Sequence, residues 1–220
     1  MKRKWYVLGI IGLAVIIAGA GYLLYQGLKE IDNPYKELDT VKLEDFFEKR
    51  GDYYVYAQRA GCPYCDNVKD EIIQFSKDNQ LYVFDTRAEG NEDIKDYDWS
   101  EHHKEYDEEI GIVNNGKMEF YNGLTEEMLK DKYSPLDYTI KVAGRDFVEL
   151  NDGKEEGRIY AIRESPIIDY SDTSNCNLIM AAVPTLFHIK DGQIKAYYFG
   201  DVQILDFLGV DKAPLDEYIN

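Results

Sequence analysis

Residues 52–75 read "DYYVYAQRAGCPYCDNVKDEIIQF", and this stretch carries the strongest structural signal in the 220-residue chain. Its opening, "DYYVYA", is aromatic and β-branched, which predicts a strand. The apolar residues that follow recur at the spacing of an amphipathic helix. They are Val68, Ile72, Ile73 and Phe75. The sequence "GCPYC" at residues 61–65 therefore lies in a turn that joins a strand to a helix.

The flanking segments extend this pattern in both directions. Before the strand, "TVKLEDFFEKR" predicts a short amphipathic helix, because its apolar residues fall on one helical face. They are Val41, Leu43, Phe46 and Phe47. After the helix, "LYVFDT" at residues 81–86 predicts a second strand. Strand, turn, helix and strand in this order predict a βαβ unit with a parallel strand pair.

The end of the chain predicts a matching half. "VPTLFHIKDGQIKAYYFG" at residues 183–200 reads as two strands joined at Asp191-Gly192, a strong hairpin signal. "DVQILDFLG" then predicts a closing helix with Val202, Leu205 and Leu208 on its inner side. Neither half buries its apolar face alone, so we expect the two to form one small mixed sheet with helices on both faces.

Residues 88–178 are not needed by either half and predict an inserted α+β subdomain. "IGIVNNGKMEFY" predicts a hairpin around Asn115-Gly116, and "GLTEEMLKDKY" predicts a helix. "YTIKVAGRDFVELNDGKEEGRIYAI" at residues 138–162 predicts two or three further strands. The subdomain is therefore expected to be largely strand.

The N-terminal region predicts a membrane anchor. The uncharged run from Trp5 to Tyr25 is long enough to cross a bilayer as one helix. Ala18 and Ala20 form a small-residue pattern that a cleaved signal peptide could also have, but the apolar run continues beyond it. The positive charges of "MKRK" precede the span, which predicts a cytoplasmic N-terminus and places the rest of the chain in an oxidising compartment.

Charge and composition exclude some partners. The formal net charge is −17 at pH 7, which argues against nucleic acid or an anionic lipid surface, since both require clustered Lys and Arg. The acidity is expected to serve solubility. The predicted organisation is an anchor at 1–28, a tether at 29–39, one domain built from residues 40–87 and 179–220, and the insertion at 88–178.

Two of the three cysteines, Cys62 and Cys65, fit thiol redox chemistry. A thiol attacks a disulfide only as its thiolate, which the first turn of a helix favours through unpaired backbone N–H groups. Cys62 is therefore the expected nucleophile, and Cys65, one helical turn further on, is expected to resolve a mixed disulfide. Pro63 suits the first helical turn because its missing N–H would have no partner there.

The whole arrangement resembles the thioredoxin superfamily. That family combines a C-x-x-C motif after the first strand of its βαβ unit with a cis-proline that faces the dithiol, and "VPT" places Val183-Pro184 at the matching position here. The resemblance covers residues 40–87 and 179–220. It implies a thioredoxin-like α/β fold, catalytic Cys62 and Cys65, and a substrate groove that includes Pro63, Tyr64, Val183 and Pro184.

The chain departs from that family in two places. Tyr56 occupies the position, six residues before the first cysteine, where thioredoxins usually carry a buried carboxylate that assists proton transfer. Cys65 and Pro184 are 119 residues apart (184 − 65), far more than in a minimal thioredoxin, because of the insertion. The Pro63-Tyr64 dipeptide is typical of glutaredoxins, but no other glutathione-binding residues are recognisable.

The resemblance implies an extracytoplasmic thiol–disulfide oxidoreductase that acts on protein thiols or disulfides. Its cofactor would be its own Cys62–Cys65 disulfide, with no metal. A single span without cysteine cannot carry electrons from the cytoplasm, so a membrane redox partner or an external oxidant is required. An external oxidant is the simpler supply, which slightly favours an oxidising or isomerising role over a reducing one.

Other interpretations remain open. The cysteine pair could be half of a zinc site, with ligands from Cys176, His102, His103 or His188, or it could be a permanently closed structural disulfide. The chain could also be a non-catalytic module that binds a partner in secretion or envelope assembly through its insertion. Cys176 is interpreted as a lone buried or unreactive thiol, His102-His103 as part of a solvated charged face, and His188 as a sheet residue.

Overall fold

The computed structural model describes residues 34–151 and 153–210. The chain divides into two compact units at Asp39 and Thr40, and the architecture below is that of the unit beginning at Thr40. The predicted anchor over residues 5–25 lies outside the described residues. Within the described ranges, none of the helices is both apolar enough and long enough for a bilayer span.

The unit has a mixed α/β architecture. Its strands are β1 (Asp52–Gln58), β2 (Leu81–Asp85), β3 (Lys95–Asp96), β4 (Glu108–Asn114), β5 (Lys117–Phe120), β6 (Tyr138–Val142), β7 (Arg158–Arg163), β8 (Ile179–Met180), β9 (Thr185–Lys190) and β10 (Gln193–Phe199). Its α-helices are α1 (Pro63–Asn67), α2 (Lys69–Phe75), α3 (Trp99–Tyr106), α4 (Glu126–Lys132), α5 (Arg145–Leu150) and α6 (Gly200–Phe207). Short 3-10 helices span Leu43–Asp45 and Tyr121–Gly123.

The first sheet joins the two halves of the chain that flank the insertion. Its strand order is β10-β9-β1-β2, with β1 and β2 parallel and the other two pairs antiparallel. Tyr56 of β1 lies opposite Val83 of β2 on one side and Leu186 of β9 on the other. The expected mixed sheet therefore forms, and β1, which leads into "GCPYC", is one of its central strands.

One apolar core lies against this sheet. Its buried residues come from both flanking halves and, with Tyr170 and Leu178, from the end of the insertion, so the expectation that neither half needs residues 88–178 is wrong for this end of the segment: Val41, Leu43, Phe46, Tyr53, Val55, Ala57, Phe84, Tyr170, Leu178, Met180, Phe187 and Ile189. Phe46 lies at the centre and makes edge-to-face contacts with the rings of Phe84 and Phe187, at centroid distances of 5.2 and 5.5 Å. Such geometry adds to the free energy gained by burial alone.

Both hairpins predicted from the sequence form at the expected residues. β9 and β10 are joined by Asp191-Gly192, and β4 and β5 by Asn115-Gly116. All four residues have positive φ, between 49° and 74°. This backbone suits the right-handed twist of paired strands and is tolerated by Asn, Asp and Gly, which explains why the two dipeptides predicted the turns.

The insertion builds a second sheet with strand order β5-β4-β7-β6, antiparallel throughout. It has its own buried core, formed by Ile110, Leu129, Tyr133, Ile140, Ile159 and Ala161. Gly111 of β4 lies so close to β5 that a Cβ atom there would be 2.6 Å from the carbonyl oxygen of Glu119. The strand pair therefore requires glycine at this position.

A short parallel pair, β3 and β8, lies at the two ends of the insertion. Lys95 pairs with Ile179 and Asp96 with Met180. Because the strands are parallel, the chain segments that leave them, toward α3 and toward Val183, start from the same edge. The entry to the insertion and the exit from it therefore lie side by side.

Two local predictions were wrong in detail. The helix expected over residues 41–47 is only a 3-10 helix at Leu43–Asp45. The helix after "GCPYC" is divided at Val68, whose φ and ψ of −107° and 0° interrupt the α-helical geometry between α1 and α2. The prediction of two or three strands over residues 138–162 is confirmed by β6 and β7, but the helix between them, α5, was not predicted; it begins after Gly144.

The inner face of α6 also differs from the prediction. Its buried residues are Ile204 and Leu205, whereas Val202 and Leu208 are only half-buried. Leu208 follows the last helical residue as the C-cap, so it does not extend the buried face. Leu205 is the one residue of the predicted set that is buried.

His102 of α3 is buried, which corrects the expectation that the two histidines lie on a solvated face. The side chain of His102 is surrounded by protein, and the residue is only 2% exposed. Its Nε2 lies 3.0 Å from the carbonyl oxygen of Arg163, and its Nδ1 lies 2.8 Å from the hydroxyl of Tyr97. A carbonyl only accepts, so Nε2 carries the proton, and Nδ1 accepts from Tyr97.

This burial predicts a pH-dependent stability. Loss of hydration is the largest effect and lowers the pKa of His102 in the folded protein. The hydrogen bond to the carbonyl oxygen of Arg163 and the charge of Asp107 act against it, whereas His103 and the charge of Arg163 lower the pKa further. As pH falls below about 6.5, the unfolded chain binds a proton that the folded chain does not, so the free energy of unfolding falls by up to about 1.4 kcal/mol per pH unit. The free energy of unfolding, measured with urea at several pH values between 7.5 and 5.5, should decrease less steeply with falling pH for His102→Gln than for the wild type. An equal dependence on pH in the two proteins would contradict the prediction.

Candidate active site

The cysteine pair lies where β1 ends and α1 begins. Gly61 has a φ of 73° and turns the chain between the two elements. Cys62 is the N-cap of α1, Pro63 is its first helical residue, and Cys65 lies one turn further on. The sequence therefore predicted the position of the motif correctly, because strand, Gly, Cys and Pro each fit the backbone that their position requires.

Cys62 and Cys65 form a disulfide, with Cα atoms 5.2 Å apart. The backbone N–H of Cys65 donates to the Sγ of Cys62 at 3.1 Å. In the reduced state the same N–H group would stabilise a thiolate on Cys62, which selects Cys62 as the better nucleophile. Exposure does not distinguish the two residues, since each is only 3% exposed.

A second segment, the loop 181–184, faces the disulfide. The peptide bond between Val183 and Pro184 is cis, and the carbonyl oxygen of Val183 lies 3.7 Å from the Sγ of Cys62. That sulfur carries no hydrogen in the disulfide, so this is a contact and not a hydrogen bond. Val183 is half-buried and Pro184 is buried. The fold therefore brings together two motifs that are 121 positions apart in sequence.

Two hydrogen bonds to backbone carbonyl groups hold this loop at its C-terminal end. The hydroxyl of Thr185 donates to the carbonyl oxygen of Ala182 at 2.9 Å. The backbone N–H of Gly200, at the start of α6, donates to the carbonyl oxygen of Pro184 at 2.9 Å. The cis peptide bond is thus anchored to both β9 and α6.

Tyr56 occupies the interior beneath the cysteines. It is fully buried in β1, and its hydroxyl lies 3.4 Å from the carbonyl oxygen of Cys65. A phenol remains neutral at pH 7 and cannot act as a carboxylate would in accepting a proton. If Cys65 were to release a proton in a redox reaction, a different acceptor would be required.

Carboxylates surround the other side of α1. A shallow cavity of about 420 Å³ lies between α1, α2 and α6, and its wall includes Asp66, Asp70, Glu71 and Asp201. Their negative charge disfavours a thiolate on Cys62, whereas the N–H group of Cys65 favours it. Asp66 and Asp70 are exposed and therefore screened by water, whereas Glu71 and Asp201 are half-buried. The direct hydrogen bond from Cys65 would contribute roughly 1.5–3 kcal/mol to an anion on Cys62.

Tyr64 supplies an apolar surface next to the disulfide. Its ring is 60% exposed, although it lies between two buried cysteines, and Pro63 is exposed as well. A large exposed aromatic side chain beside a reactive pair is suited to contact with a partner, since tyrosine offers apolar area with little loss of side-chain entropy. Pro63 and Tyr64 thus border the site on its solvent side.

Other residues considered from the sequence lie apart from this chemistry. Cys176 is free and exposed, so the expectation that it is buried is wrong, whereas the alternative that it is unreactive stays a prediction. His188 lies in β9 as expected, where it stacks on Tyr54 and pairs with Asp52. His103 pairs with Asp107 at 3.2 Å. Among the described residues, no group of three or more His, Cys, Asp or Glu side chains is arranged to hold a metal ion.

Sequence reasoning missed one residue of the insertion that reaches the site. The indole Nε1 of Trp99 donates to the carbonyl oxygen of Ala181 at 3.1 Å, across 82 positions. A signal was present: Trp99, His102 and Tyr106 recur at spacings of three and four, which marks one face of a helix in an otherwise charged stretch.

The site is therefore defined by a disulfide at a helix start, a cis-proline loop in contact with it, and a tyrosine where a carboxylate was expected from the resemblance. Comparisons were made with protein-family models, with curated proteins and with solved structures. None of the three gave a match to this chain.

Proposed function

We propose that this chain is a thiol–disulfide oxidoreductase of the thioredoxin superfamily that acts on protein thiols or disulfides. The observation that carries the proposal is the 3.7 Å contact between the Sγ of Cys62 and the carbonyl oxygen of Val183, the residue before cis-Pro184. A C-x-x-C disulfide alone would fit a structural role. A C-x-x-C disulfide that faces a cis-proline loop fits a redox site with a groove for a substrate.

The topology of the first sheet supports the same assignment. In thioredoxin-like folds the dithiol follows a central strand, and the cis-proline precedes the strand beside it. Here Cys62 follows β1, Pro184 precedes β9, and these two strands are antiparallel neighbours. The parallel partner β2 and the closing helix α6 complete the arrangement that the resemblance predicts.

In the oxidising direction, a substrate thiolate attacks the Sγ of Cys62. The Cys62–Cys65 bond breaks, a mixed disulfide with Cys62 forms, and Cys65 leaves as a thiolate that takes up a proton. A second substrate thiolate then attacks the substrate sulfur of the mixed disulfide and displaces Cys62 as a thiolate. The substrate dithiol loses two electrons and two protons, and the Cys62–Cys65 pair gains two electrons.

The reducing direction is the reverse sequence, in which Cys62 attacks a substrate disulfide and Cys65 resolves it. The N–H group of Cys65 supports the Cys62 thiolate in both directions, because that anion is the leaving group in one and the nucleophile in the other. Stabilising this thiolate stabilises the reduced pair, which favours oxidation of substrates. We therefore prefer the oxidising or isomerising role.

The proposed location is the outer face of a membrane. The apolar run from Trp5 to Tyr25, preceded by Lys2, Arg3 and Lys4, supports a single-pass anchor with the redox domain outside. In that compartment either an oxidant or a multi-span membrane redox protein would regenerate the disulfide or the dithiol. Substrates would be exported chains with free or mispaired cysteines.

Two measurements on the full chain test this function. The wild type should catalyse dithiothreitol-dependent reduction of insulin or oxidative refolding of a reduced disulfide protein. The reduction potential of the Cys62–Cys65 pair against glutathione should lie nearer to about −120 mV than to −250 mV. A reduction potential near or below about −250 mV would indicate that the protein is a reductase that receives electrons from a membrane donor. Absence of turnover in both the insulin assay and the refolding assay would refute the function.

A second candidate is a non-catalytic module that binds a partner through the insertion. It is favoured by the separate core of the second sheet, which the redox chemistry does not require. Complete rescue of a deletion phenotype by a variant with both Cys62 and Cys65 changed to Ser would support this candidate. Failure of that variant to rescue would support the redox role.

A further inference from the structure

Trp99, the first residue of α3, connects the insertion to the redox site. Its indole N–H donates to the carbonyl oxygen of Ala181, and its ring lies 5.8 Å from that of Phe199, the last residue of β10. Ala181 lies two positions before Val183, whose carbonyl oxygen contacts the Sγ of Cys62. A side chain of the insertion therefore holds the same loop that forms one wall of the site.

The insertion fixes Trp99 in turn. Its ring packs edge-on against His102 at 5.1 Å and stacks on His103 at 5.6 Å. His102 is itself buried and bonded to the carbonyl oxygen of Arg163 in β7. Contacts within α3 and with the second sheet thus fix the position of the indole. Its one N–H group is thereby held where it can bond the loop.

The loop 181–184 is held at both ends by different parts of the molecule. On its C-terminal side, Thr185 and Gly200 hold the carbonyl groups of Ala182 and Pro184. On its N-terminal side, the paired strand β8 ends at Met180, and Ala181 is the next residue. The bond from Trp99 extends the constraint from β8 one residue closer to Val183.

We infer that Trp99 is a positioning residue for loop 181–184, through which the insertion controls the turnover of polypeptide substrates. The substrate effect rests on the proposed function, whereas the effect on the loop does not. An extended polypeptide would contact both the sulfur of Cys62 and the backbone of Val183, so it requires an ordered loop. A small disulfide reagent requires only the sulfur.

The test compares Trp99→Phe with the matched control Tyr121→Phe in the full chain. Trp99→Phe keeps an aromatic ring, although a smaller one, and removes the N–H donor. Tyr121→Phe removes a hydrogen-bonding hydroxyl from the same subdomain, where it donates to Glu109 and accepts from Arg158 and bonds neither Trp99 nor Ala181. Circular dichroism establishes that each variant folds.

The expected result has two parts. Hydrogen exchange measured by mass spectrometry should be about two- to tenfold faster over residues 181–183 in Trp99→Phe, with β9 unchanged, which corresponds to loss of one hydrogen bond. The KM for insulin should rise by a similar factor, with kcat and the rate of reaction of the reduced protein with a small aromatic disulfide unchanged. Tyr121→Phe should leave the loop exchange and the KM at wild-type values.

Unchanged exchange over 181–183 would overturn the inference, and so would a faster exchange with an unchanged KM. Equal losses against insulin and the small disulfide would indicate a general structural defect and would also overturn it. A wild-type protein without turnover would refute the proposed function, and the exchange result alone would then decide whether Trp99 positions the loop. If Trp99→Phe does not fold, slow exchange of the Trp99 indole N–H in the wild type supports the inference and fast exchange overturns it.

Discussion

Substitution of Cys62 by Ser is expected to reduce thiol–disulfide turnover to the rate of the uncatalysed reaction. A serine hydroxyl is not ionised at neutral pH and cannot form the mixed disulfide, so neither direction of the exchange can begin. Insulin reduction and oxidative refolding measure the loss directly. Cys65→Ser should differ in kind, because it leaves Cys62 able to attack but removes resolution, and mixed disulfides with substrates should then accumulate on non-reducing gels.

The free thiol of Cys176 provides the matched control for these variants. Cys176 is exposed and belongs to no disulfide, so Cys176→Ser makes the same chemical change outside the redox pair. It should retain wild-type turnover. Full activity of Cys62→Ser, or loss of activity in Cys176→Ser comparable to that in Cys62→Ser, would contradict the assignment of the nucleophile.

Substitution of Phe46 by Ala is expected to lower the free energy of unfolding by about 3–5 kcal/mol. Phe46 is fully buried, and its ring contacts the rings of Phe47, Phe84 and Phe187. Truncation removes the buried area, leaves a cavity and eliminates three edge-to-face contacts. Urea unfolding measures the change, which is a large part of the roughly 5–15 kcal/mol typical of a folded protein.

Tyr64→Ala makes a comparable aromatic truncation at an exposed position. The ring of Tyr64 is 60% exposed, so its removal should change the free energy of unfolding by no more than about 0.5 kcal/mol. A loss in Phe46→Ala no greater than that in Tyr64→Ala would show that the segment before β1 is not part of the core. The comparison thus tests the packing of Phe46 and not merely a general sensitivity to truncation.

Local patterns predicted those parts of the fold that depend on local chemistry. Asp191-Gly192 and Asn115-Gly116 identified both hairpins because their backbone geometry requires those residue types. The strand before Gly61 and the helix start at Pro63 were likewise readable from a few adjacent residues. The placement of the cysteine pair followed from the same short stretch, so this part of the site could be found without the structure.

Features that depend on distant contacts were not readable in this way. His102 looked solvated because its neighbours in sequence are charged, yet its burial results from contacts with Tyr97 and Arg163. The prediction of two or three strands within 138–162 did not include the helix at 145–150, whose start only Gly144 marked. The bond from Trp99 to Ala181 joins residues whose proximity depends on the pairing of β3 with β8.

The side-by-side ends of the insertion have a consequence for folding kinetics. Asp52 and His188 are 136 positions apart, and contacts between distant residues in the first sheet carry a large loop-closure entropy that slows folding. The second sheet is built from nearer neighbours and can form earlier. Once the pairing of β3 with β8 also forms and Trp99 bonds Ala181, 82 of those positions no longer contribute to the open loop. The remaining loop is less than half as long, so the entropic free energy needed to close it falls by at least about 0.6 kcal/mol. A folded insertion would therefore favour formation of the first sheet.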